Sequence, residues 1–138
     1  MDERATGSCG SCGVRFPYRL IHDGFNDTAH AYCSDCGATG FVSIYRRDIP
    51  KSASISPGAP MPTQVEALLA PCACGGRFGG SSAPRCPSCG QPLSATDAAP
   101  WIEAGVVNRD WRWQRSWRGP YAIVVDGRSV ELQWIGVA

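Results

Sequence analysis

No apolar run in this sequence approaches the roughly 20 residues that a membrane-spanning helix needs, so the chain is not expected to enter a bilayer. Lysine is almost missing, with Lys51 alone. The formal charge is only +1, so a general polyanion binder is not expected. No phosphate-cradling glycine loop and no paired base and nucleophile stand out, which argues against an enzyme. The first residues, Met1 to Ser8, lack the basic-then-apolar layout of a secretory signal. A cytoplasmic, reducing setting is therefore expected, in which closely paired thiols serve as metal ligands more readily than as disulfides.

What the chain does have is cysteine, eight residues in 138. They divide it into halves, and a unit of roughly 65 to 70 residues rarely buries enough apolar surface to stay folded without a staple. Cys9-Gly10-Ser11-Cys12 and Cys33-Ser34-Asp35-Cys36 have the inner and outer spacing of a four-cysteine zinc site. Gly13 and Gly37 follow these pairs and suit the positive φ of a tight knuckle. Val14 to Ile21 and Phe41 to Tyr45 read as strands leaving the knuckles. Cys72-Ala73-Cys74 and Cys86-Pro87-Ser88-Cys89 form a second quartet by the same reasoning. Its first pair is one residue short, so Cys72 needs a different backbone path, and Gly75 to Arg85 reads as a loose hairpin.

Four thiolates close the shell of a zinc ion, which points to structural and not catalytic metal. Two Zn²⁺ are expected, and iron is the other ion that four thiolates accept. Each such centre carries about −2, which takes the chain to about −3 overall. His22 and His30 are not needed as ligands and read as ordinary strand or surface residues. Thiol redox catalysis is disfavoured, because the βαβ setting of a redox C-x-x-C is missing.

Around Cys9-Gly10-Ser11-Cys12-Gly13, Tyr32-Cys33-Ser34-Asp35-Cys36-Gly37, Cys72-Ala73-Cys74-Gly75 and Cys86-Pro87-Ser88-Cys89-Gly90 the chain resembles the zinc-ribbon and rubredoxin-like superfamily. That resemblance covers about half the chain. It implies metal-stapled β-modules, and it leaves the activity open, since such ribbons serve many roles.

The expected fold is small, mainly β and metal-stapled. It comprises an N-terminal ribbon over 1–47, a proline-rich linker over 48–62, and a second lobe over 63–138. Thr63 to Glu66 has capping-box spacing and opens a short helix that packs Val65, Leu68 and Leu69 between the two lobes. Asp126-Gly127 reads as a two-residue hairpin turn that pairs Val125 with Arg128, Ile123 with Val130 and Tyr121 with Leu132. With a strand over 109–118 this gives a three-stranded antiparallel meander.

The segment 109–118 has two readings. Trp111, Trp113 and Trp117 can supply core to a lobe poor in apolar residues. Alternatively, together with Arg109, Arg112, Arg115 and Arg118, they form a contact surface for a protein partner or for single-stranded nucleic acid. The expected function is a non-catalytic adaptor or regulator acting through protein–protein interaction, with nucleic-acid binding as the alternative.

Overall fold

The computed structural model describes residues 3–22, 27–45, 61–79, 82–93 and 121–135. Two hairpins dominate the first half. β1 (Glu3–Ser8) pairs antiparallel with β2 (Arg15–His22), with Ser8 opposite Arg15, so the Cys9–Cys12 turn closes this hairpin. β3 (Thr28–Cys33) pairs antiparallel with β4 (Thr39–Ser43), with Tyr32 opposite Thr39, so the Cys33–Cys36 turn closes the second. Alternation sets the inner face of β2: Phe16, Tyr18 and Leu20 are buried, whereas Arg15 and Pro17 are exposed. The all-buried β3 shows no such alternation.

The hairpins belong to different sheets. One has the order β1-β2-β6 and the other β5-β3-β4-β7, where β5 is Phe78–Gly79, β6 is Tyr121–Val125 and β7 is Leu132–Trp134. Every described strand after residue 63 adds to a sheet begun by the first half. β6 runs antiparallel to β2, β5 antiparallel to β3, and β7 parallel to β4.

The expected C-terminal hairpin does not form, because β6 pairs with β2 and β7 with β4. The Asp126-Gly127 turn is present, with Gly127 at φ 92°, but it passes the chain from one sheet to the other. Ile123 lies opposite Leu20, and Leu132 opposite Thr39, instead of the expected Val130 and Tyr121. The reason lies in burial: Ala122 to Val125 are buried on both faces, which a two-stranded ribbon cannot provide. Ile123 and Val125 pack with Phe16, Tyr18 and Leu20, while Ala122 and Val124 pack with Phe41.

Side chains stitch the sheets together at Ile123. Its amide donates to Tyr32 Oη (3.0 Å), and its carbonyl accepts from Thr39 Oγ1 (2.8 Å). Both partners stand in the other sheet, so the backbone groups of β6 at this position stay paired in a dry setting.

A single helical turn, α1 (Thr63–Glu66), follows Pro62. Its N-cap is Pro62, and no side chain caps it, in place of the expected Thr63–Glu66 capping box. Packing holds it, because four residues are too few to be helical alone. Val65 and Leu69 are buried among Ala29, Ala31, Val42 and Phe78, contributing about 1.5–3 kcal/mol each. Leu68 is only half-buried. Of the proline-rich segment only Met61 and Pro62 are described, and Met61 joins this core. The strand expected over 109–118 lies outside the described residues.

Candidate metal centres

Three of the four cysteine turns share one backbone pattern. The amide of the first cysteine donates to the carbonyl five residues on: Cys9 to Val14, Cys33 to Ala38 and Cys86 to Gln91. The amide of the following glycine donates back, from Gly13, Gly37 and Gly90 to Cys9, Cys33 and Cys86. These glycines sit at φ 76°, 77° and 75°, a region that costs other residues about 1–2 kcal/mol. The Cys72–Cys74 turn repeats the pattern with one residue removed. Cys72 donates to the Gly76 carbonyl and Gly75 to the Cys72 carbonyl, both at 2.8 Å. Gly75 takes the positive φ of 94°. The short knuckle is therefore a contraction of the others and not a separate path.

The turns meet in an order that local spacing does not predict. Spacing predicts sequential quartets, Cys9, Cys12, Cys33 and Cys36 in one and Cys72, Cys74, Cys86 and Cys89 in the other. Instead Cys9, Cys12, Cys86 and Cys89 converge in one cluster, and Cys33, Cys36, Cys72 and Cys74 in a second, with all sulfurs of each cluster within 4.8 Å of one another. The pairing is nested: the first turn meets the last, and the second meets the third. The two hairpins belong to different sheets, and their turns fall in different clusters. Each then recruits the second-half turn that its own strands bring near. Phe78 pairs with Cys33 across β5 and β3, and the Ser34 amide donates to the Arg77 carbonyl (2.8 Å), which seats Cys72 and Cys74 beside Cys33. Leu93 packs with Phe16 and Cys9, and Arg85 bridges to Pro92, which fixes the last turn on the other cluster.

The sulfur spacing suits a tetrahedral ion. Cys9–Cys89 and Cys12–Cys86 are 3.8 and 3.7 Å apart, and Cys33–Cys74 and Cys36–Cys72 are 3.5 and 3.6 Å apart. Four thiolates about 2.3 Å from zinc stand roughly 3.8 Å from one another, whereas a disulfide needs about 2.0 Å. Backbone amides point at the sulfurs, from Ser11 to Cys9 (3.4 Å), Asp35 to Cys33 (3.4 Å), Gly76 to Cys74 (3.4 Å) and Ser88 to Cys86 (3.3 Å). Such amides favour the thiolate and orient it.

Proton affinities within the clusters are split. Backbone donation from Cys12 and Ser11 draws the Cys9 thiol down to about 7, and donation from Gly76 draws Cys74 down to about 7. Cys12 is pushed up to about 11, because burial and the neighbouring sulfurs together outweigh the lowering effect of the Val14 amide. Burial is the chief cause of the rise at Cys36 and at Cys72. Each cluster thus holds a thiol that ionises readily beside others that resist a second negative charge. A divalent cation removes that conflict, so loading releases protons and weakens as pH falls.

The clusters adjoin. Cys36 and Cys74 of one line a cleft of about 300 Å³ with Pro87 of the other and with Gly127 to Val130. Two arginines that sequence reasoning missed bind the knuckle backbone here. Arg128 Nη1 donates to the Cys86 carbonyl (2.7 Å). Arg85 donates from Nη1 to the Gly90 carbonyl (2.8 Å) and from Nη2 to the Ser34 carbonyl (2.9 Å). No local signal marks them, since their role follows from the pairing. His30 is buried on β3 with its ring edge against Tyr32 and stands outside both clusters. His22 ends β2.

A family model described as a domain of unknown function, DUF8255, matches residues 5–95, more than half of the 138. The chain belongs to the DUF8255 family. No match was found among curated proteins or among solved structures. The DUF8255 region holds all eight cysteines and ends before β6 and β7. Arg109, Trp111, Arg112, Trp113, Arg115, Trp117 and Arg118 fall beyond that region and outside the described residues. Among the described residues no helix is long and apolar enough to cross a membrane.

Proposed function

We propose that this DUF8255 chain is a non-catalytic adaptor whose fold is held by two structural Zn²⁺, one on Cys9, Cys12, Cys86 and Cys89 and the other on Cys33, Cys36, Cys72 and Cys74. The observation that carries the reading is that each cluster offers four convergent sulfurs, which complete a tetrahedral shell and leave no position for substrate. Zinc supplies charge neutralisation and cross-linking in such a shell, without redox chemistry. A reducing compartment, the cytoplasm, suits thiolates that must stay unoxidised.

Partner binding is supported by large rings left at the surface. Tyr45 is 71% exposed and Trp134 on β7 is 66% exposed, and both residue types are enriched at protein interfaces. The segment 109–118 extends the proposed contact surface by its composition, three tryptophans and four arginines.

Native mass spectrometry with elemental analysis tests the metal reading. Two zinc ions per chain are expected, and a purified chain carrying iron, or neither metal after growth with both, would overturn it. A pull-down from reducing cell extract tests the adaptor role against Trp134→Ala and a Trp111→Ala, Trp113→Ala, Trp117→Ala triple variant. Partners lost with these rings support it. An RNA or DNA band shift that persists at 150 mM salt and disappears in Arg112→Ala with Arg118→Ala would replace it with the nucleic-acid reading.

A further inference from the structure

The nested clusters differ in how much chain each must close. The outer cluster joins Cys12 to Cys86 across 74 positions, and the inner joins Cys36 to Cys72 across 36. Bridging Cys33 to Cys74 at the inner cluster removes 41 of those 74 positions, leaving about 33 for the outer closure. Loop-closure entropy grows as three-halves of the logarithm of length, so a bridged inner cluster favours the outer one about threefold from chain connectivity alone.

Contact adds to this. Arg85 immediately precedes Cys86 of the outer cluster, yet its guanidinium holds the Ser34 carbonyl inside the inner Cys33–Cys36 turn and the Gly90 carbonyl of its own turn. The backbones also meet here: a Cβ on Gly37 would come within 2.5 Å of the Arg85 amide nitrogen. Gly37 follows Cys36, so the inner turn is seated directly on the segment that enters the outer turn.

We infer that the two metal centres load cooperatively, inner before outer, and that Arg85 is the positioning residue that couples them. The inference rests on the two-zinc reading. Loading the inner cluster fixes the Cys33–Cys36 turn, which presents Ser34 to Arg85 and places Cys86 and Cys89 opposite Cys9 and Cys12. Coupling is reciprocal, so loss of either centre weakens the other by the same factor.

Cobalt titration of the full chain under reducing conditions tests this, using the thiolate charge-transfer and d–d bands. Three proteins are compared: the natural sequence, an outer-only variant (Cys36→Ser, Cys72→Ser) and an inner-only variant (Cys12→Ser, Cys86→Ser). Two ions with four-sulfur spectra in the natural chain uphold the underlying reading, and anything less overturns that reading and the inference with it. Given two ions, the product of their two association constants is expected to exceed the product of the single-site constants by more than threefold. Equality within error, or an outer-only variant that binds more tightly than the inner-only one, overturns the inference while the two-zinc reading stands. Arg85→Gln keeps every cysteine and is expected to bind two ions with coupling reduced about threefold to tenfold. Arg85→Lys is expected to recover only part, because a single ammonium cannot reproduce the fork that spans both carbonyls. Unchanged coupling in Arg85→Gln would remove its assigned role.

Discussion

Two adjacent glycines give a direct test of the nested pairing. Gly76 has a φ outside the left-handed range, so alanine is acceptable to its backbone. Space forbids it: a Cβ there would lie 2.7 Å from Cys33 Sγ and 2.8 Å from Asp35 Cβ. Neither is the free end of a flexible side chain, and the sulfur is held by the cluster. Overpacking of this kind costs about 1–3 kcal/mol, which corresponds to roughly a 5- to 150-fold loss in a coupled metal affinity. Gly75 is the reverse case, with φ 94° and nothing within 4 Å of the position a Cβ would take. There the cost is conformational, about 1–2 kcal/mol for alanine and less for asparagine, which tolerates this region. Competition for zinc with a chromogenic chelator, together with urea unfolding of the zinc-loaded chain, reads both effects. Gly76→Ala and Gly76→Asn should both be impaired, whereas Gly75→Asn should recover much of what Gly75→Ala loses. Sequential quartets place Cys33 in the other cluster, far from the third turn. Natural affinity and stability in Gly76→Ala would therefore refute the nested arrangement.

Tyr32→Phe is expected to destabilise the chain by about 1–3 kcal/mol in urea unfolding, because it strands the buried Ile123 amide. Metal stoichiometry should stay at two, and a lost ion would show that Tyr32 serves the clusters instead. Chelation at neutral pH should abolish the far-ultraviolet β signal, since so small a core depends on its staples; a chelated chain with native circular dichroism would contradict this. Acidification should release zinc as protons return to the sulfurs. Cys9 and Cys74 ionise near 7 without metal while Cys12 needs a pH near 11, so proton release measured on zinc loading at pH 8 should be dominated by the raised thiols. A chain ending at Ala95 keeps all eight cysteines but loses Ile123, Val125 and Ile135 from the two cores. It should bind zinc yet unfold without a sharp transition, and cooperative unfolding equal to that of the full chain would show that β6 and β7 are dispensable.

Local chemistry was legible in the sequence where spacing alone decides it. Each C-x-x-C-G turn, the positive φ of Gly13 and Gly37, and the strands over β2 and β4 follow from residues within one short window. The convergence of turns into clusters does not. It depends on β5 pairing with β3 and β6 with β2, contacts between residues far apart in the chain that no local window contains. The Asp126-Gly127 turn shows the limit most clearly. The dipeptide correctly marks a reversal, but Leu132 to Trp134 find a parallel neighbour in β4, which turn chemistry cannot indicate. β1 was also missed, because Glu3 to Ser8 is polar and carries little strand signal without β2 beside it.

The nested order also gives the molecule a mechanical direction. Tension applied at the amino terminus reaches Cys9 as soon as β1 has been stripped from β2, and from there it bears on the cluster of Cys9, Cys12, Cys86 and Cys89. Tension from the carboxyl end must first part β7 from β4 and β6 from β2, both held by hydrogen bonds and packing, before it meets Cys89. Either end should therefore yield first by losing strands, β1 from the amino side and then β7 and β6 from the carboxyl side, before a cysteine cluster bears load.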